Sequence, residues 1–239
     1  MSTRHRLRPA LCSLASLVVL LTATESRAGV AVDAKTQTAQ PSATTVTWSH
    51  TVGAVQDRLL MVGLSLRTAN VHGNSVSYAG QALTQLGFQN APGNGDRIEV
   101  WYLLAPPIGT ANIVATISGS VDVVGGGVSF TGVDPSAPLG TFVSATGSGF
   151  SASVTVSAAS GQVVFDTLSA DGDAVSATPG AGQSAQWNTG TGTAGGNVRG
   201  AGSIKAGASS VTMSWTLAAS KPWALGAVPL KPKRRVIVF

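Results

Sequence analysis

The carboxylates are the side chains of this sequence that could most readily do chemistry. After residue 28 there is one glutamate, Glu99, and there are eight aspartates. The aspartates are Asp33, Asp57, Asp96, Asp122, Asp134, Asp166, Asp171 and Asp173. Hydrolysis of a glycosidic bond needs two carboxyl groups that face one bond, and carboxylates alternating along a strand would supply them. That pattern is missing, since Asp96 and Glu99 are three residues apart and face opposite sides of a strand. We interpret both as solvated residues of a turn and a strand edge.

Nucleophilic catalysis and zinc binding both depend on histidine or cysteine, and these residues are scarce. After residue 28 the sequence has only His50 and His72 and no cysteine. A serine nucleophile needs a nearby base, and a zinc ion needs about four nitrogen or sulfur ligands. His50 alternates with Trp48 and Val52, which favours a packed imidazole, and His72 lies in a loop sequence. We therefore predict no catalytic residues and no zinc site.

A calcium site is harder to exclude than a zinc site, because calcium takes oxygen ligands from carboxylates and carbonyls. The turn Asp171-Gly172-Asp173 places two carboxylates close together. The spacing does not follow an EF-hand loop, and an Asp/Gly turn explains it without a metal. Asp171 and Asp173 are a weak calcium candidate, and no other cofactor is expected.

Aromatic rings are the remaining candidates, because exposed tryptophans can stack on sugar rings. Trp48 and Trp215 lie on apolar faces of alternating segments, which predicts core positions. Trp101 shares a strand face with Arg97 and Glu99, so its ring could be exposed. Trp187 is flanked by polar residues on both sides. Trp187 and Trp101 are therefore the candidate ligand-binding residues.

The elements that must carry these residues are β-strands. Apolar and hydroxyl residues alternate in Thr45–Val52 and again in Ser210–Leu217, which is the pattern of a strand with one buried face. More continuous apolar runs, such as Arg58–Leu66 and Trp223–Leu230, suit interior strands. Glycine- and proline-rich turns separate the runs. We predict 10 to 14 strands, no helix after residue 28, and an all-β, two-sheet sandwich of the jelly-roll type.

Four short matches recur in the same order along the two halves of the sequence. They pair Val46-Thr47 with Val154-Thr155, Arg58–Leu66 with Gln162–Ala170, Ala79–Ala82 with Ala181–Ser184, and Ile113–Ile117 with Met213–Leu217. Their offsets lie close to one another, although each match alone is weak. The pattern indicates a duplicated half-domain, with both halves folding together as one domain from residue 29 to residue 230.

Several stretches resemble an uncharacterised all-β domain of exported bacterial proteins. They are Ser75–Leu83, Val100–Gly109, Gly126–Val133 and Pro222–Pro232. The resemblance covers nearly all of the sequence after residue 28 and consists of strand and turn patterns. It implies the fold and export, and it carries over no functional residue.

The first 28 residues have the three parts of a cleavable signal peptide. Arg4, Arg6 and Arg8 precede an apolar run, and Ser26 and Ala28 are small residues before a cut at Gly29. The run is shorter than the roughly 20 residues of a membrane-spanning helix. We therefore expect a secreted or cell-surface protein without a membrane span. Removing residues 1–28 removes Cys12, the only cysteine.

The basic charge of the chain belongs to its ends. The net charge is +5, from 15 bases and 10 acids. Without residues 1–28 there are 11 bases and 9 acids, and four of those bases lie in the tail 231–239. Between residues 29 and 230 there are 7 bases and 9 acids, so no basic face is available for nucleic acid. We interpret the tail as disordered and basic, or as a tether to an anionic surface.

These observations favour a non-enzymatic, exported module that binds an extracellular glycan or a protein partner, or acts structurally. A polysaccharide-active hydrolase or lyase is one alternative. A fibre or surface-layer subunit, in which edge strands pair between chains, is another.

Overall fold

The computed structural model describes residues 29–172 and 176–234, and this part of the chain is built from antiparallel strands. The predicted signal peptide, Asp173 and the end of the tail lie outside the described residues. No helix is present in the described part, and none there is long and apolar enough to cross a membrane. The thirteen strands fall within the predicted range.

Seven strands from the first half of the chain form one sheet. They are β1 (Ala31–Val52), β2 (Leu59–Leu66), β3 (Gly73–Tyr78), β4 (Gln81–Ala82), β5 (Thr84–Asn90), β6 (Arg97–Leu104) and β7 (Gly109–Thr131). Their order is β4-β3-β7-β2-β6-β5, and β1 runs along the other side of β7. β1 and β7 are the long strands, with 22 and 23 residues, and β7 pairs with β3 along its first part and with β2 along its second.

Six strands from the second half form the other sheet. They are β8 (Val143–Val156), β9 (Val163–Asp171), β10 (Ala177–Pro179), β11 (Ser184–Gly190), β12 (Val198–Ala206) and β13 (Val211–Leu230). Their order is β10-β13-β9-β12-β11, with β8 paired to β13. Most neighbours in both sheets are not consecutive in the chain, which is the connectivity expected of a jelly-roll-like sandwich.

The two sheets have the same topology, as a duplicated half-domain predicts. β8, β9, β10, β11, β12 and β13 pair as β1, β2, β3, β5, β6 and β7 do, and only β4 lacks a counterpart in the described second sheet. The four sequence matches fall at equivalent places in this scheme, with Arg58–Leu66 covering β2 and Gln162–Ala170 covering β9.

The apolar side chains of the described residues form three clusters rather than one. One cluster lies within the first half and includes Trp48, and a second lies within the second half and includes Trp215. Both tryptophans are buried, as predicted. The third cluster contains residues of both halves, among them Phe130 and Phe165, and joins the two sheets.

β2 and β9 contribute to two clusters each, because both of their faces are covered. In β2, Leu60 and Leu64 face the first-half cluster while Leu59 and Met61 face the shared cluster. All eight residues of β2 are buried. This burial explains why the sequence of β2 is a continuous apolar run rather than an alternating one.

The start of the C-terminal tail is attached to the body of the protein, which corrects part of the expectation of disorder. Pro232 forms an isolated bridge with Val133, and the Lys233 ammonium lies 2.8 Å from a carboxylate oxygen of Asp57. The tail after residue 234 lies outside the described residues.

Glycines in the shared cluster let the two sheets approach across the Trp187 ring. A Cβ atom on Gly126 or on Gly202 would overlap that ring. Gly63 is close to the same ring and to Thr167. The absent side chains therefore make the space that Trp187 fills.

We predict that Gly126→Ala lowers the free energy of unfolding by about 2 kcal/mol or more, because overpacking a rigid core displaces side chains and backbone. Urea unfolding of residues 29–239 measures the change. Gly119→Ala, on the same strand, is the matched control, since its Cβ would lie 3.2 Å from a methyl group of Val71. Equal effects of the two substitutions would contradict the role assigned to Gly126.

Candidate functional site

Trp187 is a core residue, which corrects the expectation that its ring faces a ligand. It lies on β11 and is 3% exposed. Its ring centroid is 5.6 Å from that of Phe165, in the cluster shared by the halves. The polar neighbours of Trp187 predicted an exposed ring. That prediction is wrong because a register shift between Ala185 and Trp187 interrupts the side-chain alternation of β11. The glycines of β2, β7 and β12 leave space for a large ring, and they were the sequence signal that could have predicted the burial of Trp187.

Trp101 is also buried, at 6% exposure, and it belongs to a polar network inside the first half. The sequence correctly placed Arg97, Glu99 and Trp101 on one strand face, but that face points inward. Trp101 Nε1 donates to Glu99 Oε2 at 3.0 Å, and Arg97 Nε donates to Glu99 Oε1 at 2.7 Å. The backbone N–H of Gly73 donates to the same carboxylate. The expected solvation of Glu99 is therefore wrong, and its charge is balanced by buried donors.

His50 is packed, as the alternation predicted. It is 1% exposed, and its Nδ1 lies 2.9 Å from the Thr36 hydroxyl. Burial lowers the pKa of the imidazole, and the nearby Asp33 opposes that change. His72 lies in the loop before β3, 3.3 Å from the Ser118 hydroxyl. The two histidines do not share a site.

One pocket brings charged groups of both halves together. Arg67 follows β2, Asp96 precedes β6, and Asp171 ends β9. The Arg67 guanidinium lies 2.9 Å from Asp96 Oδ1 and 3.2 Å from Asp171 Oδ2. These residues line a cavity of about 250 Å³ together with the turn at residues 92–95 and Pro222. The sequence analysis gave Asp171 as a candidate calcium ligand, but no local sequence pattern predicted that it would lie in one pocket with Arg67 and Asp96.

Asp96 is the group in this pocket with a strongly shifted pKa. It is 1% exposed, so the expected solvation of its carboxyl is wrong. Burial raises the pKa of Asp96 to about 7; the Arg67 charge opposes the rise and the Asp171 charge adds to it. Among the described residues, neither the Oδ2 of Asp96 nor the Oδ1 of Asp171, both buried, has a hydrogen-bond partner. The pocket therefore holds two carboxyl groups and one guanidinium, and the buried Asp96 is partly protonated near neutral pH.

The calcium hypothesis gains no support from this arrangement. Asp171 contacts Arg67, and a guanidinium beside both carboxyl groups repels a cation. Asp173 lies outside the described residues, and no cluster of three or more His, Cys, Asp or Glu side chains occurs within the described ranges. Asp171 alone offers too few oxygens for the 6–8 ligands of calcium.

Asp166 forms a second buried carboxyl site, inside the second half. Its Oδ1 accepts hydrogen bonds from the Ser203 N–H at 2.6 Å and the Ser203 hydroxyl at 2.9 Å. Its Oδ2 accepts from Trp215 Nε1 at 2.9 Å. Burial raises the pKa of Asp166 to about 7, and the hydrogen bonds from Trp215 and Ser203 limit the rise. Asp166 is enclosed by the core, so it ties strands together rather than meeting a ligand.

The edge of β8 that does not pair with β13 is called its free edge, and its backbone groups can form hydrogen bonds with another strand. This strand has 14 residues, pairs with β13 along one edge, and has no strand along the other in the described part of the chain. It contains no charged residue and no proline. In its second part, Ser151, Ser153 and Thr155 are exposed and alternate with buried residues. Phe150, which comes just before this part, is 59% exposed.

The equivalent strand of the first half, β1, is protected along its first part, residues 31–43. β1 contains Lys35, Pro41 and three register shifts along its pairing with β7. Lys35 Nζ also donates to the Ala185 carbonyl of β11 at 3.3 Å. Lysines, prolines and bulges are the devices by which natural proteins block edge-to-edge pairing. The second part of β8, from Ser151 to Val156, has none of these devices, and neither has its equivalent in β1, residues 45–52. The β8 edge differs in having the exposed Phe150 beside it.

In comparisons with protein-family models, with curated proteins and with solved structures, nothing matches this chain. The function must therefore be inferred from the site geometry.

We predict that the protein becomes less stable as the pH rises from about 4 to about 7. The folded pKa of Asp166 and of Asp96, about 7, lies above the ordinary 3.8, so the folded state retains protons that the unfolded chain releases in this interval. The stabilising contribution of these two carboxyl groups is therefore fully present below about pH 4 and is lost as the pH rises through their folded pKa of about 7. Urea unfolding across this pH range checks the slope.

The variants Asp166→Asn and Asp96→Asn each remove one of the two titrating groups. Each should flatten part of the pH dependence, whatever it does to stability at a single pH. A wild-type slope retained in both variants would show that neither carboxyl titrates in this interval.

Proposed function

We propose that the exported chain is a non-enzymatic module that acts by binding an extended segment of another polypeptide at the free edge of β8. The observation that carries this proposal is the unprotected second part of β8, Ser151–Val156. Strand addition uses the backbone N–H and C=O groups of an edge for affinity and alternate side chains for specificity. Of the candidate ligands, an extended protein strand fits this edge.

The glycan version of a binding role is less well supported. Both tryptophans that were candidates for stacking on sugar rings are buried, Trp187 at 3% and Trp101 at 6% exposure. Of the exposed large apolar side chains, Phe88 has the Arg97 guanidinium 3.8 Å from its ring centroid. Phe150 is uncovered, and it adjoins the free edge. The exposed Phe150 thus supports a contact at β8.

We predict that the chain 29–239 binds a fluorescent peptide of alternating valine and threonine, and that Thr155→Lys weakens binding at least about ten-fold. A lysine on an edge strand opposes the approach of another strand. The control is Thr212→Lys, because Thr212 is the cross-strand partner of Thr155 on the same face, 3.1 Å away between hydroxyl oxygens, and lies on an interior strand. Fluorescence polarisation measures the affinities.

A peptide with proline at alternate positions cannot donate the backbone hydrogen bonds and should not bind. The proposal fails if neither peptide binds, or if Thr155→Lys and Thr212→Lys weaken binding equally. A glycan array with the same proteins tests the rival ligand class, and glycan binding that is insensitive to Thr155→Lys would favour it.

One observation favours the hydrolase alternative, namely that Asp96 and Asp171 line the same pocket. A glycosidase needs an acid with a raised pKa and a second carboxylate, and burial raises the pKa of Asp96 to about 7. Against it, both carboxyl groups contact Arg67, and Asp96 is 1% exposed, so its reach to a polymer is poor.

We expect no release of reducing ends from soluble polysaccharides at pH 4 to 8 by the chain 29–239. Asp96→Asn and Asp171→Asn are the variants that decide a positive result. Activity that is present in the wild type and lost in both variants, with their circular dichroism unchanged, would replace the binding proposal with a hydrolase.

A further inference from the structure

The sequence of the free edge is complementary to itself. An antiparallel pairing that sets Ser153 of one copy opposite Ser153 of another also sets Ser151 opposite Thr155. The same register sets Ala152 opposite Val154 and Phe150 opposite Val156. Hydroxyl residues therefore face hydroxyl residues on the outer face, and Ala152 faces Val154 on the inner face. Cross-strand Ser/Thr pairs of this kind stabilise antiparallel sheets.

Charge does not oppose this pairing. β8 carries no charged side chain, so two copies bring no like charges together across the new ladder. The exposed Phe150 lies at the end of the paired segment, where the register places Val156 of the other copy beneath it. Val156 is 3% exposed and belongs to the second-half cluster. The ring of Phe150 would therefore extend the apolar layer of the neighbouring copy.

We infer that the partner strand at this edge is β8 of a second copy of the chain, so that two six-stranded sheets join into one continuous antiparallel sheet. This inference rests on the proposed function, since it names the polypeptide that the free edge binds. The arrangement has twofold symmetry, in which the same patch serves both copies. It closes both free β8 edges at once and stops at a dimer.

A single cysteine tests the geometry directly, because Cys12 is the only native cysteine and the chain 29–239 has none. In the inferred dimer the two Ser153 residues face each other across neighbouring strands, about 4.5–5.5 Å apart between Cα atoms. That separation is within the reach of a disulfide. Ser153→Cys should therefore form a covalent dimer under mild oxidation.

The matched control is Thr212→Cys, which lies on the same exposed face one strand further in. Its two copies would be three strand spacings apart, roughly 14 Å, which is beyond disulfide reach. The expected result is a dimer band for Ser153→Cys and monomer for Thr212→Cys on non-reducing gels. Equal cross-linking of both variants, or monomer for both, overturns the inference.

Sedimentation velocity of the unmodified chain gives an independent readout. A dimer fraction that rises with concentration and is lost in Ser153→Lys is expected, because two lysines would oppose each other. A chain that binds the valine–threonine peptide but stays monomeric, and does not cross-link at Ser153→Cys, overturns the homodimer and leaves the proposed function standing. Loss of peptide binding as well removes both.

Discussion

The close approach of the two sheets at Trp187 is the constraint on which the rest of the structure depends. Gly126 and Gly202 leave room for the ring, and β2 and β9 can then be covered on both faces. Double coverage requires the continuous apolar sequences of these two strands. It also keeps the first-half and second-half clusters on opposite sides of the shared one. Apolar packing is therefore the main stabilising interaction in a chain with few charges and no cysteine after residue 28.

Much of the fold was predictable because its signals are local. Strand periodicity identified the half-buried segments around Trp48 and Trp215, and continuous runs identified the interior strands. The ordered sequence matches identified the two halves before the strand pairings showed that their topology is the same. These inferences succeed because side-chain alternation and burial are properties of neighbouring residues.

The sites were harder to predict because they depend on residues that are distant in sequence. The ion pairs of Arg67 with Asp96 and Asp171 span separations of 29 and 104 residues. Trp187 has polar neighbours along the chain, but its surroundings in space are glycines and Phe165. The free edge of β8 shows a related limit. Its lack of charge was visible in the sequence, whereas its position outside β13 required the sheet order.

The pairing of Arg67 with Asp171 has a further consequence for the duplicated architecture. The two residues are 104 positions apart, the offset that relates β2 to β9, so they occupy equivalent places in the two halves. In a symmetric assembly of identical halves, equivalent places hold identical residues, and two arginines or two aspartates would repel each other. A single chain that carries both halves can assign opposite charges to them. Covalent linkage thus permits an attraction that symmetry forbids, and it makes each half specific for the other rather than for a copy of itself.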